Sequence, residues 1–117
     1  MPDFDINVRI VRWISDDNPG WVECEFTDVD GRTWLFREKW PVVSSELIDG
    51  TSAFPCPGVI ACQVIGSKSG NDARDEIEVD TTQPWGVESV EGVSRFRVFS
   101  DQLSAGPDTW DSPATNR

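Results

Sequence analysis

The stretch FDINVRIVR, residues 4–12, decides the fold class of this chain. Apolar and polar residues alternate along it as far as Ile10, so one face is apolar and the other polar. A period of two is typical of a β-strand that is buried on one face. The stretch therefore predicts a half-buried strand. Its apolar face consists of Phe4, Ile6, Val8 and Ile10, and its polar face of Asp5, Asn7 and Arg9.

The same alternation continues after a loop of turn-forming residues at 15–20. A second strand is predicted from Trp21 to Asp28 and a third from Arg32 to Trp40. Between them, the segment Asp28–Gly31 predicts a hairpin turn, because glycine adopts the positive φ that such turns need. Pro41 ends the third strand, since proline cannot donate a hydrogen bond to a strand ladder.

The second half of the chain has a different pattern. Val59–Ile65 is almost entirely apolar, which predicts a central strand buried on both faces. Ser44–Ile48 predicts a single helical turn with Ser44 as its N-cap. The segment Ser67–Asp72 predicts a second hairpin turn. Further strands are predicted at Glu76–Thr81, Val87–Val90 and Val93–Ser100.

The length of 117 residues predicts one domain, with enough chain to bury a core without a metal or a disulfide. Strands at short spacing favour antiparallel pairing. We therefore predict an all-β fold, a single small antiparallel β-barrel or sandwich of about six or seven strands with little helix. We expect a single β domain over residues 1–104 and a polar, flexible C-terminal tail over residues 105–117.

The charge excludes several partners. The chain has 21 Asp and Glu against 10 Lys and Arg and no His, which gives a formal net charge of -11. So acidic a surface disfavours nucleic acid and anionic membranes as partners. No run approaches the ~20 apolar residues of a membrane-spanning helix. The first residues lack the basic and apolar regions of a signal peptide, so we expect a cytoplasmic protein.

The three cysteines indicate neither a disulfide framework nor a metal site. Their number is odd and no pair has C-x-x-C spacing, which is typical of reduced thiols. Zinc would need histidine or a fourth cysteine. Because the chain has no histidine, neither Cys24 nor Cys62 can form a Cys–His pair. Cys56, between two prolines, also lacks a base. We expect no catalytic residues, no metal and no cofactor.

Several carboxylates are candidates for a catalytic or metal-binding site. Glu23 and Glu25 share a predicted strand face at a spacing of ~7 Å, near the separation in glycosidases. The motifs Asp28-x-Asp30-Gly31 and Asp72-x-x-Asp75-Glu76 contain possible calcium ligands. A calcium loop needs more oxygens at closer intervals, so we interpret both motifs as turns. Alternating acids on a strand are typical of a solvated face.

Tryptophan is unusually frequent, with six residues. Filling the core is its usual role. Exposed tryptophan beside acidic residues is also typical of protein-binding surfaces, where it often contributes much of the binding energy. Trp21 has the same strand phase as Glu23 and Glu25, whereas Trp13 is out of phase with the Phe4–Ile10 face. The sequence leaves burial open at Trp13, Trp21, Trp40 and Trp85.

Four segments resemble a widespread set of small uncharacterised bacterial proteins, over roughly residues 4–103. In size and charge the chain is also similar to the immunity proteins of polymorphic toxin systems. This similarity transfers no residue roles. It implies a cytoplasmic single-domain inhibitor that binds a cognate toxin. The four segments are Pro19–Phe26, Phe36–Val43, Pro57–Cys62 and Asp80–Ser89.

These observations together favour an acidic, non-enzymatic protein-binding module. We expect an immunity protein or inhibitor that occludes a basic, nuclease-like toxin, its acids standing in for phosphates. A phage-encoded nuclease inhibitor such as an anti-CRISPR fits equally, and a small enzyme or ligand-binding β-barrel and a structural subunit are alternatives. The sequence does not determine the oligomeric state. The candidate partner-binding residues are Asp16, Asp17, Trp21, Glu23 and Glu25.

Overall fold

A computed structural model describes residues 4–68 and 75–105 of the chain. Within them it contains seven β-strands, one short α-helix and a 3₁₀ turn, so the all-β prediction is confirmed. The helix α1 is Trp40–Val43 and the 3₁₀ turn is Ser100–Gln102. The strands are β1 (Phe4–Ser15), β2 (Trp21–Thr27), β3 (Thr33–Lys39), β4 (Cys56–Lys68), β5 (Glu76–Asp80), β6 (Arg95–Phe99) and β7 (Leu103–Ala105).

The strands pair in the order β3-β2-β1-β4-β5-β6, with β7 added beside β1, and every pairing is antiparallel. Two long strands hold the sheet together. The segment Cys56–Cys62 of β4 pairs with β1, and its continuation from Gln63 pairs with β5. Because one strand serves both parts, the sheet curls into a half-barrel around one core. Three consecutive β4 residues, Ile60, Ala61 and Cys62, are buried, as expected for a strand covered on both faces.

An aromatic cluster brings β6 onto β2 and β3. The ring of Phe96 lies edge-on to Phe26, Trp34 and Phe36, with centroid separations of 5.2, 5.1 and 5.7 Å. Edge-to-face pairs of this kind each contribute about 0.5–1.5 kcal/mol beyond the burial of their surface. The cluster therefore holds the two ends of the strand order against each other, although β3 and β6 are not paired.

Polar contacts also hold β6 and the loop before it against the β2–β3 hairpin. The amide of Val29 donates to the carbonyl of Arg97 at 3.0 Å, and the amide of Val90 donates to the carbonyl of Leu35 at 2.8 Å. The guanidinium of Arg97 also reaches the carboxylate of Asp30, 2.7 Å away. The loop that precedes β6 thus covers the edge of β3, which protects it from pairing with another chain.

A β-bulge in β1 changes which residues face the core. Ile10 lies opposite Cys24 and Arg12 lies opposite Glu23, so Val11 is an extra residue in the ladder. After the bulge, Trp13 faces the core side opposite Val22. The alternation alone placed Trp13 out of phase, and the bulge is the reason that it nevertheless packs against the core.

Several local predictions need correction. The helical turn predicted at Ser44–Ile48 is wrong, because the helix forms at Trp40–Val43, where Pro41 occupies the first turn that suits it. The strand predicted at Val87–Val90 is wrong, because its amides make isolated loop hydrogen bonds. The short strand β7 was not predicted. The hairpin turn at Asp28–Gly31 is confirmed, with φ of 82° at Gly31.

Two predictions fall largely outside the described part of the chain. Ser67 and Lys68 belong to β4, and the rest of the predicted turn lies among residues 69–74, which the structure does not describe. The predicted tail begins at Ala105, the last residue of β7, and residues 106–117 are also outside the description.

The seating of Trp13 gives a first test. A Cβ on Gly20 would overlap the indole ring of Trp13 and lie 2.9 Å from the carbonyl oxygen of Ser15. We expect Gly20→Ala to lower the free energy of unfolding by about 1–3 kcal/mol, the usual cost of overpacking. Gly66→Ala is the matched control, because its nearest neighbour, Glu78, would be 3.5 Å away. Equal urea midpoints for the two variants would contradict the described packing.

Candidate protein-binding site

The predicted site begins on the outer face of β1, β2 and β3, where side chains form cross-strand rows. In the first row, Arg9 lies beside Glu25. In the next, Glu23 lies between Arg12 and Arg37. We call these two rows the charged rungs. They bring acids and arginines from three strands into contact.

Glu23 is the most enclosed of the predicted site residues, at 9% exposed. Its Oε1 is 3.1 Å from a terminal nitrogen of Arg12 and 3.3 Å from Nε of Arg37. Burial raises the pKa of Glu23, but hydrogen bonds and charge from the two arginines outweigh burial, so the pKa lies below its ordinary value. Glu23 is thus a fixed anion between two exposed guanidinium groups.

Glu25 and Trp21 are also engaged within the sheet. A carboxylate oxygen of Glu25 is 2.8 Å from the guanidinium of Arg9. The ammonium of Lys39 lies 5.9 Å from the ring centre of Trp21, which is half-buried. A cation over an aromatic face contributes about 0.5–1 kcal/mol at an exposed site. The charged rungs of β1, β2 and β3 therefore carry paired charge rather than free acid.

Asp16 and Asp17 lie in the exposed loop between β1 and β2. Trp13 Nε1 donates a hydrogen bond of 2.6 Å to Asp16, and Ser15 Oγ donates one of 3.3 Å to Asp17. Neither carboxylate has a Lys or Arg within salt-bridge distance among residues 4–68 and 75–105. Both charges therefore remain available to a partner.

A second loop, residues 44–55 between α1 and β4, adds acids that were not predicted from the sequence. A Cβ placed on Gly50 would lie 3.5 Å from the Trp13 indole and 3.9 Å from an Asp16 carboxylate oxygen, so the two loops touch. Hydrogen bonds from Thr51 lower the pKa of the neighbouring Asp49. We call the resulting surface the acidic end. Its carboxylates are Asp16, Asp17, Glu46 and Asp49.

Leu47 lies in this second loop and is 74% exposed. Its neighbours in sequence are Glu46 before it and the buried Ile48 after it. An exposed leucine beside carboxylates resembles the apolar contact within a polar rim that protein interfaces use. The alternating pattern of the strands gave no signal for it, because the loop has no period.

A cavity of about 360 Å³ opens beside the acidic end, between this loop and strands β1 and β4. Val8, Val43 and Ile48 lie at its base, and Glu46, Cys56, Pro57 and Val59 also line it. Burial raises the pKa of the Cys56 thiol, and the charge of Glu46 raises it further. The thiol is therefore protonated at neutral pH and is a weak nucleophile.

The other cysteines, Cys24 and Cys62, are buried thiols. Burial, followed by the charges of Glu38, Glu23 and Glu25, raises the pKa of Cys24 to about 12. Within the described ranges, no three Cys, Asp or Glu side chains are grouped as metal ligands. None of the helices described has the length and apolar character to span a membrane.

Comparison with protein-family models, with curated proteins and with solved structures finds no significant match to this chain. The similarity to immunity proteins therefore stays a hypothesis.

The charged rungs give a second test. We expect Glu23→Gln to lower the free energy of unfolding by about 1–2 kcal/mol at pH 7, because charge-assisted hydrogen bonds to two arginines are lost. Because the pKa of Glu23 is lowered in the folded state, its carboxylate stabilises the fold above the ordinary value of 4.5. This stabilisation is lost as the pH falls through the folded-state pKa. The difference in free energy of unfolding between the wild type and Glu23→Gln should therefore become smaller at low pH. Urea unfolding at several pH values measures it.

Glu38→Gln is the matched control, because burial raises the pKa of Glu38. A raised carboxyl pKa means that the charged form opposes folding above that pKa, and that this penalty disappears as the pH falls. Glu38→Gln should therefore leave the free energy of unfolding unchanged or raise it at pH 7. A larger loss of stability for Glu38→Gln than for Glu23→Gln would contradict the roles assigned to the two carboxylates.

Proposed function

We propose that this chain is a non-enzymatic protein-binding module whose acidic end docks onto a basic protein. The observation that carries the proposal is the segregation of charge. The acids of the charged rungs are held by arginines, whereas the acidic end presents its carboxylates without such partners among the described residues. Exposed Leu47 supplies an apolar contact within that surface.

The mechanism is occlusion of a basic, nuclease-like cleft. Such a cleft binds phosphates with lysine and arginine, and clustered carboxylates offer the same charge at protein surfaces. Long-range attraction speeds the encounter, and close contact then blocks the substrate. This is the chemistry of an immunity protein that acts on a nuclease toxin. A phage-encoded nuclease inhibitor would use the same surface.

The proposed interface differs in emphasis from the residues predicted on the hairpin edge and its loop. Asp16 and Asp17 stay at its centre, and Glu46, Asp49 and Leu47 are added. Glu23 and Glu25 act mainly by fixing arginines on the adjoining sheet face. Trp21 lies in the row of Ser15 and Lys39, directly after the first loop, and forms the edge between the acidic end and the charged rungs.

Association kinetics test the electrostatic part. We expect the double change Asp16→Lys and Asp17→Lys to slow association with a catalytically inactivated basic nuclease domain and to flatten its dependence on salt. Glu78→Lys with Glu88→Lys is the control, because it alters net charge equally at exposed positions outside the acidic end. Biolayer interferometry over a panel of such domains measures both rates. The proposal fails if no domain binds, or if both double variants associate equally.

The contribution of Trp21 to binding can be measured separately from the electrostatic attraction. Its truncation removes a short-range contact, so Trp21→Ala should speed dissociation, costing about 2 kcal/mol or more if Trp21 anchors the complex, while the salt dependence of association stays the same. Trp85→Ala is the control, since Trp85 is 63% exposed on the loop between β5 and β6. Thermal unfolding verifies that both variants fold. An unchanged dissociation rate in Trp21→Ala would remove Trp21 from the interface.

A further inference from the structure

The cavity beside the acidic end has an apolar interior and a negatively charged rim. Val8 and Ile48, 6% and 7% exposed, form its floor above the fully buried Val43. The exposed Pro57 and the half-buried Val59 provide the accessible apolar wall. The volume of about 360 Å³ is at the lower end of the range for small-molecule sites and exceeds what a water molecule needs. An occupant with an apolar body would be in contact with fixed side chains.

The rim carries negative charge. Glu46 lines the cavity, and its backbone is held by Ser44, whose Oγ accepts from the Glu46 amide at 3.0 Å and donates to the Glu46 carbonyl at 2.8 Å. No Lys or Arg pairs with Glu46 among residues 4–68 and 75–105. The same carboxylate acts electrostatically on Cys56 in the cavity wall. A cation that enters the mouth therefore finds an uncompensated anion.

We propose that this cavity is an anchor pocket for one arginine side chain of the basic partner. The aliphatic stem lies against Ile48, Pro57 and Val59, and the guanidinium group meets the carboxylate of Glu46 at the mouth. This inference rests on the proposed function, since it specifies how the same surface holds its partner. It also explains why the acidic end has a concave neighbour rather than a flat surface.

Arginine suits this pocket better than lysine for two reasons. The guanidinium group is planar and presents donors that match a carboxylate in a two-point hydrogen bond. It is also hydrated more weakly than an ammonium group, so entering a partly enclosed mouth costs less. The long stem of either residue packs on apolar walls while its charged group stays at the surface. Arginine is accordingly frequent among residues that dominate interface energy.

Cys56 provides a built-in reporter of occupancy. Its thiol lies in the cavity wall and is partly accessible, whereas Cys24 and Cys62 are buried. The probes are n-butylguanidinium, n-butylammonium and the neutral n-butylurea, applied to the full chain at a fixed alkaline pH. Site-resolved mass spectrometry follows alkylation of Cys56 by iodoacetamide. A ligand this small is expected to bind with a Kd on the order of 1 mM.

At about ten times its Kd, n-butylguanidinium should slow alkylation of Cys56 about tenfold, because only the empty fraction reacts. n-Butylurea should protect much less, and n-butylammonium should fall between the two. Glu46→Gln should remove the preference for the cation, and Glu88→Gln, a change at an exposed site outside the cavity, should keep it. Each comparison uses the ratio of rates with and without the probe, because Glu46→Gln itself alters the reactivity of Cys56.

The pocket assignment is overturned if n-butylguanidinium gives no protection, if n-butylurea protects equally, or if the preference survives in Glu46→Gln. Stronger protection by n-butylammonium would overturn the choice of arginine. The outcome is independent of the test of the proposed function. If the Asp16 and Asp17 reversal slows association while the probes leave Cys56 unprotected, the acidic end binds a basic partner without this pocket.

Discussion

The extra residue at Val11 in β1 is the constraint on which the rest of the structure depends. A strand alternates its side chains strictly, so without the bulge the phase that buries Ile10 would turn Trp13 outward. With it, Trp13 covers Gly20 and Gly50 and donates a hydrogen bond to Asp16. One indole ring therefore closes the core, positions the first loop and contacts the second. The acidic end exists because these two loops meet on Trp13.

Aromatic packing closes the half-barrel, whereas backbone ladders join its neighbouring strands. β4 supplies continuous ladders to β1 and β5, but β3 and β6 meet through the ring of Phe96 and a few polar contacts. Hydrogen bonds on an accessible edge contribute modestly, since water competes for the same groups. Burial of aromatic surface thus provides most of the closure, while contacts such as Arg97 with Asp30 fix its register.

Much of the fold could be predicted because period-two alternation is a local property. The strands that contain Ile6, Val22 and Phe36 follow directly from it, and Gly31 marks their hairpin. The errors arise where local signals compete or tertiary contacts decide. Ser44 is a good N-cap by composition, yet its hydroxyl bonds Glu46 within a loop, and the helix forms earlier around Pro41. Residues 87–90 are apolar enough for a strand, but no partner strand lies beside them in the described sheet, and Val90 bonds only across to Leu35.

The candidate site could be predicted only in part, because the cross-strand neighbours of a strand carboxylate decide whether its charge is paired. Phase correctly places Glu23 on the face shared with Trp21, but sequence does not reveal that Arg12 and Arg37 lie on either side of it. A register shift of one residue would have left that carboxylate free. Asp16 lies in a loop, where no neighbouring strand of the described sheet places an arginine beside it. Pairing on β1, β2 and β3 therefore leaves Asp16 and Asp17 among the unpaired carboxylates of a chain with a net charge of -11. This is where the proposed basic partner would first be attracted.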